Sequence, residues 1–150
     1  MRFIAHRGNL NGPNEKDENK PSYIDDALNQ SFDAEIDLWY ANNNFYLGHD
    51  SPIYRVDYSW LGYRVNNLWI HMKNIDVYNR FKQWKPDVFN RFWHEDDHYS
   101  LTSKGYVWVH PKAKLIQNSI CVLPELRKEL DNLSLCLGIC SDYIRSYKNI

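Results

Sequence analysis

Three polar clusters in the first third of the chain carry residue types suited to phosphate chemistry. They are His6-Arg7-Gly8, Glu35-Ile36-Asp37 and Gly48-His49-Asp50, and each lies at the end of an apolar, strand-like run. Two imidazoles, one guanidinium and two carboxylates are the groups needed to bind a divalent cation and hydrolyse a phosphodiester. The first 50 residues therefore carry most of the functional information.

The types and spacing of these residues suggest separate roles in phosphate binding, metal binding and acid–base catalysis. The Arg7 guanidinium can offer two parallel donors to the non-bridging oxygens of a phosphate. Glu35 and Asp37 are two positions apart on a predicted strand, so they face the same side and can share a hard cation such as Mg²⁺ or Ca²⁺. His6 and His49 titrate near neutrality, which suits a general base and a general acid.

Each cluster also has a simpler interpretation. His6-Arg7-Gly8 can be an ordinary strand end with a glycine turn, and Glu35 and Asp37 can lie on a solvent-facing strand edge. Asp50 can be a turn residue or can orient His49. The co-occurrence of both histidines with the carboxylates favours the functional interpretation of the set.

Later polar and aromatic residues are ambiguous. The segment His94-Glu95-Asp96-Asp97-His98 is typical of a polar loop, although His94 or Glu95 could reach the site from the end of a fourth strand. His110 ends another predicted strand and is equally ambiguous. Packing in the core or barrel wall is the default for four tryptophans, with an apolar wall against the leaving group as the alternative for some: Trp39, Trp69, Trp93 and Trp108.

Strands and helices alternate along most of the chain. The predicted strands cover residues 2–7, 34–40, 45–48, 68–73, 88–94, 106–110, 119–123 and 135–140, with a hairpin turn at 42–44. The predicted helices begin after an N-cap at Ser22 and end near Gln30, run from Ile75 to Trp84 before Pro86, and cover residues 124–130 with Leu126, Leu130 and Leu133 facing inward. Residues 51–66 show no clean periodicity. The order favours a mostly parallel α/β sheet, either open or closed into a barrel.

Composition limits the class of protein. The 150 residues are 43% hydrophobic and 15% aromatic, which predicts one globular domain over 1–150. A net charge of −1 without a basic stripe argues against a nucleic-acid-binding protein, and no apolar run approaches the roughly 18 residues of a membrane span. Cys121, Cys136 and Cys140 lie in apolar segments, which predicts reduced core thiols and a cytoplasmic location.

Four clusters in order resemble the glycerophosphodiester phosphodiesterase family, which shares a superfamily with phosphatidylinositol-specific phospholipases C. They are Ile4-Ala5-His6-Arg7-Gly8, Glu18-Asn19, Glu35-Ile36-Asp37-Leu38 and Gly48-His49-Asp50, within residues 3–50. Two later segments resemble the family's third strand and final strand: Ile70-His71-Met72-Lys73 and Gly138-Ile139-Cys140-Ser141-Asp142-Tyr143.

The resemblance implies a fold and a set of roles. The fold is a compact, reduced TIM-like (β/α) barrel with several helices shortened to loops, because 150 residues fall well below the usual length of about 250. His6 and His49 take the acid–base roles, Arg7 binds phosphate, and Glu35 and Asp37 bind Mg²⁺ or Ca²⁺.

The chain departs from the family pattern at two positions. His71 replaces a glutamate that serves as the third metal ligand. An imidazole can also coordinate a metal, so His71 is a candidate ligand, but its lack of negative charge predicts weaker metal binding, a different metal or reduced activity. Lys73 matches the family's lysine and either contacts phosphate or is a surface residue. Lys20 follows Glu18 and Asn19 where the family has threonine, which leaves those two as supporting site residues.

Two functions are consistent with these observations, and a third class is retained. The first is metal-assisted hydrolysis of a small, glycerophosphodiester-like phosphodiester. The second is a module on the same fold that binds phosphate or phosphodiester without turnover. The third is a structural or partner-binding protein that uses exposed aromatic residues.

Overall fold

The computed structural model describes residues 1–84, 87–127 and 132–148. Within these ranges, ten strands and four α-helices follow one another along the chain. They are β1 (Arg2–His6), α1 (Pro21–Asn29), β2 (Asp33–Ala41), β3 (Asn44–Leu47), β4 (Tyr54–Val56), α2 (Tyr58–Tyr63), β5 (Leu68–Met72), α3 (Ile75–Lys82), β6 (Asn90–Phe92), β7 (Tyr99–Leu101), β8 (Val107–Val109), β9 (Ile120–Val122), β10 (Gly138–Ser141) and α4 (Ile144–Tyr147). Two 3₁₀ turns cover Pro124–Leu126 and Leu133–Leu135.

One sheet contains all ten strands, and the fold is therefore mixed α/β. Seven strands run parallel in the order β6-β5-β2-β1-β10-β9-β8. Strands β3 and β4 extend from β2 as an antiparallel meander, and β7 pairs antiparallel with β8. Because these seven strands are parallel, their carboxyl ends lie at the same end of the sheet.

The expected closure into a barrel is not observed in the described part of the chain. Closure needs a ladder between β6 and β8, but β8 already pairs with β9 on one edge and with β7 on the other. We call the gap between β6 and the β7–β8 hairpin the seam. It is bridged locally by Ser103 and Arg91, whose backbone N–H and carbonyl pair at 2.8 Å. Trp108 also packs across it against Phe92, with ring centroids 4.8 Å apart.

The first and third helices lie close to their predicted positions. Helix α1 begins at Pro21 rather than after a Ser22 cap, and it buries Ile24 and Ala27. Proline suits this first turn because its missing N–H has no partner there in any helix. Helix α3 is capped by Asn74, whose side chain accepts from the Val77 amide. The predicted stop at Pro86 lies outside the described residues.

The helix predicted over 124–130 is replaced, in its described part, by a 3₁₀ turn at Pro124–Leu126. Leu126 is 64% exposed, so the prediction that it faces inward is wrong. Leu133 is partly buried against the core, as predicted, and Leu130 lies outside the described residues. The turn directs Glu125 toward β10, where its carboxylate accepts a hydrogen bond from the Asp142 amide at 2.9 Å.

Alternation along β2 separates the core from the concave face of the sheet. Ala34, Ile36 and Leu38 are fully buried in the core beneath α1 and α3. Glu35 and Asp37 point the other way, into the concave face. A second apolar cluster covers the floor of that concave face, with members from six parallel strands: Ile4, Trp69, Phe92, Trp108, Ile120, Val122 and Cys140.

Two sequence-based expectations concern the cysteines and membrane spans. Cys121, Cys136 and Cys140 are all buried, and none forms a disulfide bond. Among the residues that the structure describes, none of the helices is long and apolar enough to cross a membrane.

Candidate active site

A polar layer lies directly above the apolar floor of the concave face. Side chains two positions apart on a strand point to the same face, so the residue two positions after a floor residue lies above it. This rule places His6 after Ile4 and Asp142 after Cys140. The same spacing relates three more histidines to floor residues: His71 to Trp69, His94 to Phe92 and His110 to Trp108. The strands thus deliver imidazoles and carboxylates to one end of the sheet.

These residues line a cavity of about 680 Å³. The chain contains six histidines, and every one of them lines it: His6, His49, His71, His94, His98 and His110. Arg7, Glu35, Asp37 and Lys73 line the same cavity. The residues predicted for acid–base, phosphate and metal roles therefore come together, although they belong to separate segments of the chain.

Glu35, Asp37 and His71 form the compact centre of the cavity. Each offers one ligand atom, and these atoms all lie within 4.8 Å of one another. Asp37 and His71 are register partners on the neighbouring strands β2 and β5, which holds His71 Nδ1 2.9 Å from Asp37 Oδ1. Their side chains are only 1% and 12% exposed. We call these three residues the acidic–imidazole centre.

Asp37 is held ionised by the groups around it. Burial alone would raise the pKa of this carboxyl, but the His71 hydrogen bond and the charges of Arg7 and Lys73 lower it below its usual range. Lys73 Nζ lies 3.6 Å from Asp37 Oδ1. Asn19 fixes the carboxylate further, because its amide donates to Asp37 Oδ2 at 2.9 Å and accepts from the Asp37 backbone N–H at 2.9 Å. Asn19 is thus a positioning residue for Asp37.

Glu35 experiences the opposite balance. Burial and the neighbouring Asp37 charge raise the pKa of Glu35, and the nearby cationic groups His6, His71 and Arg7 offset this only in part. Its Oε2 accepts from the Arg7 backbone N–H at 3.3 Å, and its Oε1 lies 4.0 Å from His71 Nδ1. A buried carboxylate beside a second carboxylate is the arrangement that a divalent cation stabilises.

His6 is oriented by a carboxylate that the sequence analysis did not assign. His6 Nδ1 lies 2.7 Å from Asp142 Oδ1, and His6 Nε2 lies 3.9 Å from Glu35 Oε2. Burial lowers the pKa of His6, but the Asp142 hydrogen bond and the Glu35 charge outweigh it and leave the pKa raised. The Asn9 side-chain amide also donates to Asp142 Oδ1, at 2.8 Å, so a second hydrogen bond fixes the carboxylate that orients His6.

Arg7 adopts a left-handed backbone conformation, with φ of 51°, at the end of β1. Its Nη1 donates to Glu18 Oε2 at 3.1 Å, as expected if Glu18 supports the site. Its Nε lies 3.2 Å from Asp37 Oδ2 but is not aligned for a hydrogen bond, and it has no hydrogen-bond acceptor in the described part of the chain. Arg7 therefore retains a buried donor that an anion could accept from.

His49 reaches the cavity from a turn after β3. The Gly48 amide donates to the Asp37 carbonyl at 3.2 Å, and the Gly48 carbonyl accepts from the Trp39 indole N–H at 2.6 Å. The side chain of His49 is 42% exposed, and its Nδ1 lies 2.7 Å from a carboxylate oxygen of the exposed Asp50. His49 thus lies at the rim, whereas the side chain of His6 is only 13% exposed.

Another part of the cavity wall is formed by stacked imidazoles. His94 and His110 stack with ring centroids 3.5 Å apart and an interplanar angle of 13°. Burial and the neighbouring His71 lower the pKa of His94, and burial and the neighbouring His94 lower the pKa of His110 to about 4. His110 Nε2 lies 3.1 Å from Ser100 Oγ. Residues 94–98 form a loop, as the sequence favours, and this loop also lines the cavity, as the alternative interpretation expects for His94 and Glu95.

The tryptophans divide between packing and lining. Trp69 and Trp108 are 2% exposed in the floor, which confirms core packing for these two. Trp39 is partly buried beside Gly48. Trp93 is 38% exposed and lines the cavity, which fits the alternative of an apolar wall against substrate.

Comparison with known proteins finds no matching family model, no matching curated protein and no matching solved structure. The resemblance to glycerophosphodiester phosphodiesterases therefore stays a hypothesis that depends on the motifs of this chain. Any functional assignment depends on those motifs together with the geometry of the cavity.

Proposed function

We propose that this protein is a metal-assisted phosphoric diester hydrolase that acts on a small, glycerophosphodiester-like substrate. The proposal rests on one observation: His6, Arg7 and the acidic–imidazole centre line the same cavity of about 680 Å³. Pockets of this size accommodate small organic ligands. These groups match the requirements for binding a phosphate and moving protons across it.

The acidic–imidazole centre has the donor set of a divalent cation site. Two buried carboxylates face one imidazole nitrogen within coordination range of a common point. Burial raises the pKa of Glu35, and a cation beside it would relieve that cost. When bound there, a divalent cation would supply Lewis acidity to a phosphate oxygen.

The chain's own residues supply the remaining chemistry. Arg7 lines the cavity, and its guanidinium would hold a non-bridging phosphate oxygen. Asp142 holds Nδ1 of His6, which leaves His6 Nε2 to exchange a proton with the attacking oxygen. His49 at the rim would protonate the departing alkoxide, and Lys73 would neutralise charge on the phosphate. The attacking oxygen is either water or a neighbouring hydroxyl of the substrate, which would give a cyclic phosphate first.

The strand order supports the proposed relationship to (β/α) barrels. Six strands run parallel to β1, three on each side of it, and the last strand of the chain, β10, pairs with β1. In such barrels the active site lies at the carboxyl ends of the strands, where the polar layer of this protein lies. We propose that the fold is a reduced barrel that is interrupted at the seam.

Hydrolysis of bis(p-nitrophenyl) phosphate tests the proposed function directly. Metal-free protein would be assayed with Mg²⁺, Ca²⁺, Mn²⁺ and Zn²⁺ in turn, as wild type, His6→Ala and His98→Gln. His98 is an exposed histidine and provides a matched control for the loss of an imidazole. We expect activity with at least one cation, a loss of about 100-fold or more in His6→Ala and little change in His98→Gln. Undiminished activity in His6→Ala would refute the assignment.

One observation favours the alternative of a binding module without turnover. Asp37 already has three cationic neighbours, Arg7, His71 and Lys73, so its charge is compensated by the chain itself. Such a site could hold a phosphate without a cation. Tight binding of glycerol phosphate, with no hydrolysis under any of the four cations, would support this alternative.

A further inference from the structure

The orientation of His71 decides which of its nitrogens faces the acidic–imidazole centre. His71 Nε2 lies 3.0 Å from the backbone carbonyl oxygen of His94. A carbonyl oxygen can only accept a hydrogen bond, so Nε2 carries the proton. The ring is held in this orientation by stacking on Phe92, with an interplanar angle of 7° and centroids 5.3 Å apart. Nδ1 is therefore the nitrogen presented to the carboxylates.

Nδ1 of His71 points toward two carboxylate oxygens of the centre. It lies 2.9 Å from Asp37 Oδ1 and 4.0 Å from Glu35 Oε1. In the metal-free protein a proton on Nδ1 makes the contact with Asp37 a hydrogen bond, and a bound cation would take the place of that proton. Ligand atoms bound to one ion at about 2.0–2.2 Å are themselves separated by about 3–4 Å, which matches the observed spacing.

Each carboxylate presents one oxygen to this point. Asp37 Oδ2 accepts from the Asn19 amide at 2.9 Å, and Glu35 Oε2 accepts from the Arg7 backbone N–H at 3.3 Å. The remaining oxygens, Asp37 Oδ1 and Glu35 Oε1, face His71. The protein thus offers two oxygens and one nitrogen, which is far fewer oxygen ligands than the six to eight that Ca²⁺ takes.

We infer that the acidic–imidazole centre binds a borderline first-row cation, with Zn²⁺ preferred over Mg²⁺ and Ca²⁺, through Nδ1 of His71. The inference rests on the proposed function and specifies its metal. Imidazole is a ligand for Zn²⁺ and similar ions, whereas Mg²⁺ and Ca²⁺ favour oxygen donors. Three protein ligands with open positions are typical of catalytic zinc sites. A metal-binding histidine commonly donates its other N–H to a backbone carbonyl, as His71 does to His94.

The inference has an electrostatic consequence for Arg7 and Lys73. Both now lie close to Asp37, at 3.2 Å and 3.6 Å. A dication would neutralise the charges of Glu35 and Asp37, so the guanidinium and the ammonium would interact more strongly with an anionic substrate. The metal would thereby strengthen phosphate binding by residues that do not coordinate it.

Direct metal binding, measured without substrate, tests the inference. Chelator-treated protein would be titrated with Zn²⁺ against a competing chelator, and with Mg²⁺ and Ca²⁺ by calorimetry. His71→Glu would restore an all-oxygen ligand set. We expect wild type to bind Zn²⁺ at least about 100-fold more tightly than Mg²⁺, and the ratio of the two affinities to fall by about 10–100-fold in His71→Glu. The visible spectrum of the Co²⁺ form should change in the same variant, because a nitrogen ligand is lost.

Two further variants make the result decisive. His98→Gln removes an exposed imidazole from the same cavity, and its Zn²⁺ affinity should equal that of wild type. His71→Gln removes the imidazole without adding charge; it should lose Zn²⁺ binding without gaining Mg²⁺ binding, and it replaces His71→Glu if the latter does not fold. A wild type that prefers Mg²⁺ or Ca²⁺ would overturn the inference, and so would an unchanged affinity ratio in the His71 variants. Zinc bound as expected without phosphodiesterase activity would refute the proposed function alone.

Discussion

Replacing Glu35 with glutamine should stabilise the metal-free protein while it abolishes metal-dependent stabilisation. Glu35 is 3% exposed and lies on the same strand face as Asp37. Its pKa is raised by burial and by the Asp37 charge, so the ionised form is less favourable in the folded protein than in the unfolded chain. Glutamine keeps the shape and can still accept from the Arg7 amide, but it carries no charge.

The size of this effect can be worked out from the positions of the two carboxylates. The facing oxygens of Glu35 and Asp37 lie within 4.8 Å of each other. At an effective dielectric constant of about 20, two negative charges about 5 Å apart repel by about 3 kcal/mol. His6, His71 and Arg7 offset part of this repulsion. We therefore expect Glu35→Gln to increase the free energy of unfolding by about 1 kcal/mol at pH 7 in the presence of a chelator.

The pH dependence has a definite sign. A carboxyl with a raised pKa is neutral in both states at low pH, and its cost appears as pH rises from the unfolded-state pKa toward the raised value. The stability difference between Glu35→Gln and wild type should therefore be small below about pH 4 and larger at pH 7. Glu15→Gln makes the same change at an exposed position and should show no such trend.

Urea denaturation with and without Zn²⁺ provides the measurement. At a free Zn²⁺ concentration of 100 times the dissociation constant, wild type should gain about 2.7 kcal/mol, so that it exceeds the variant. The order of stability should therefore reverse when metal is added. If Glu35→Gln is less stable than wild type with a chelator present, or gains as much from Zn²⁺, the electrostatic account of the centre is incorrect.

Three other substitutions test separate parts of the site. Gly48→Ala should lower the free energy of unfolding by about 2 kcal/mol or more in a thermal or urea melt, because the added Cβ would lie 2.1 Å from the Ser51 carbonyl oxygen. His110→Gln should reduce the pH dependence of stability, because burial lowers the pKa of His110 to about 4. In urea melts, the free energy of unfolding of wild type should fall by about 2 kcal/mol relative to that of the variant as pH falls from 7 to 4. Asp142→Asn should lower kcat by about 10-fold or more with little change in KM. It should also move the His6-dependent inflection of the pH–rate profile to lower pH, because the Asp142 carboxylate that raises the pKa of His6 is lost.

The sequence predicted elements whose signals are local. The hairpin of β2 and β3 was recognised because Asn42-Asn43-Asn44 interrupts two apolar runs, and Asn42 and Asn43 do adopt left-handed conformations. Strand β5 was recognised from its apolar residues. Strands β4 and β7 and helix α2 were missed, because they have three to six residues each and lack a clear period. The seam is open because β7, and not β6, pairs with the second edge of β8. No local sequence pattern specifies which of these strands pairs there.

Only those site residues that belong to a short sequence motif could be predicted from the sequence. His6, Arg7, Glu35 and Asp37 line the cavity as expected, but their catalytic and metal-binding roles stay predictions. The contact between His6 and Asp142 joins residues 136 positions apart, and it could not be inferred from local spacing.

A different signal would have found more of the site. His94, His110 and Asp142 each follow an apolar strand residue by two positions, so the rule that places side chains on alternate strand faces would have indicated them. Applying it requires knowing which strands share one sheet.

The confinement of every histidine to one cavity has a practical consequence for spectroscopy and chemical modification. Imidazole resonances in a proton–nitrogen correlation spectrum would all come from this cavity, with no background from the remaining surface. Their tautomeric states and titrations can therefore be followed in the intact wild-type protein, and a histidine-selective acylating reagent would report ligand protection of the cavity alone.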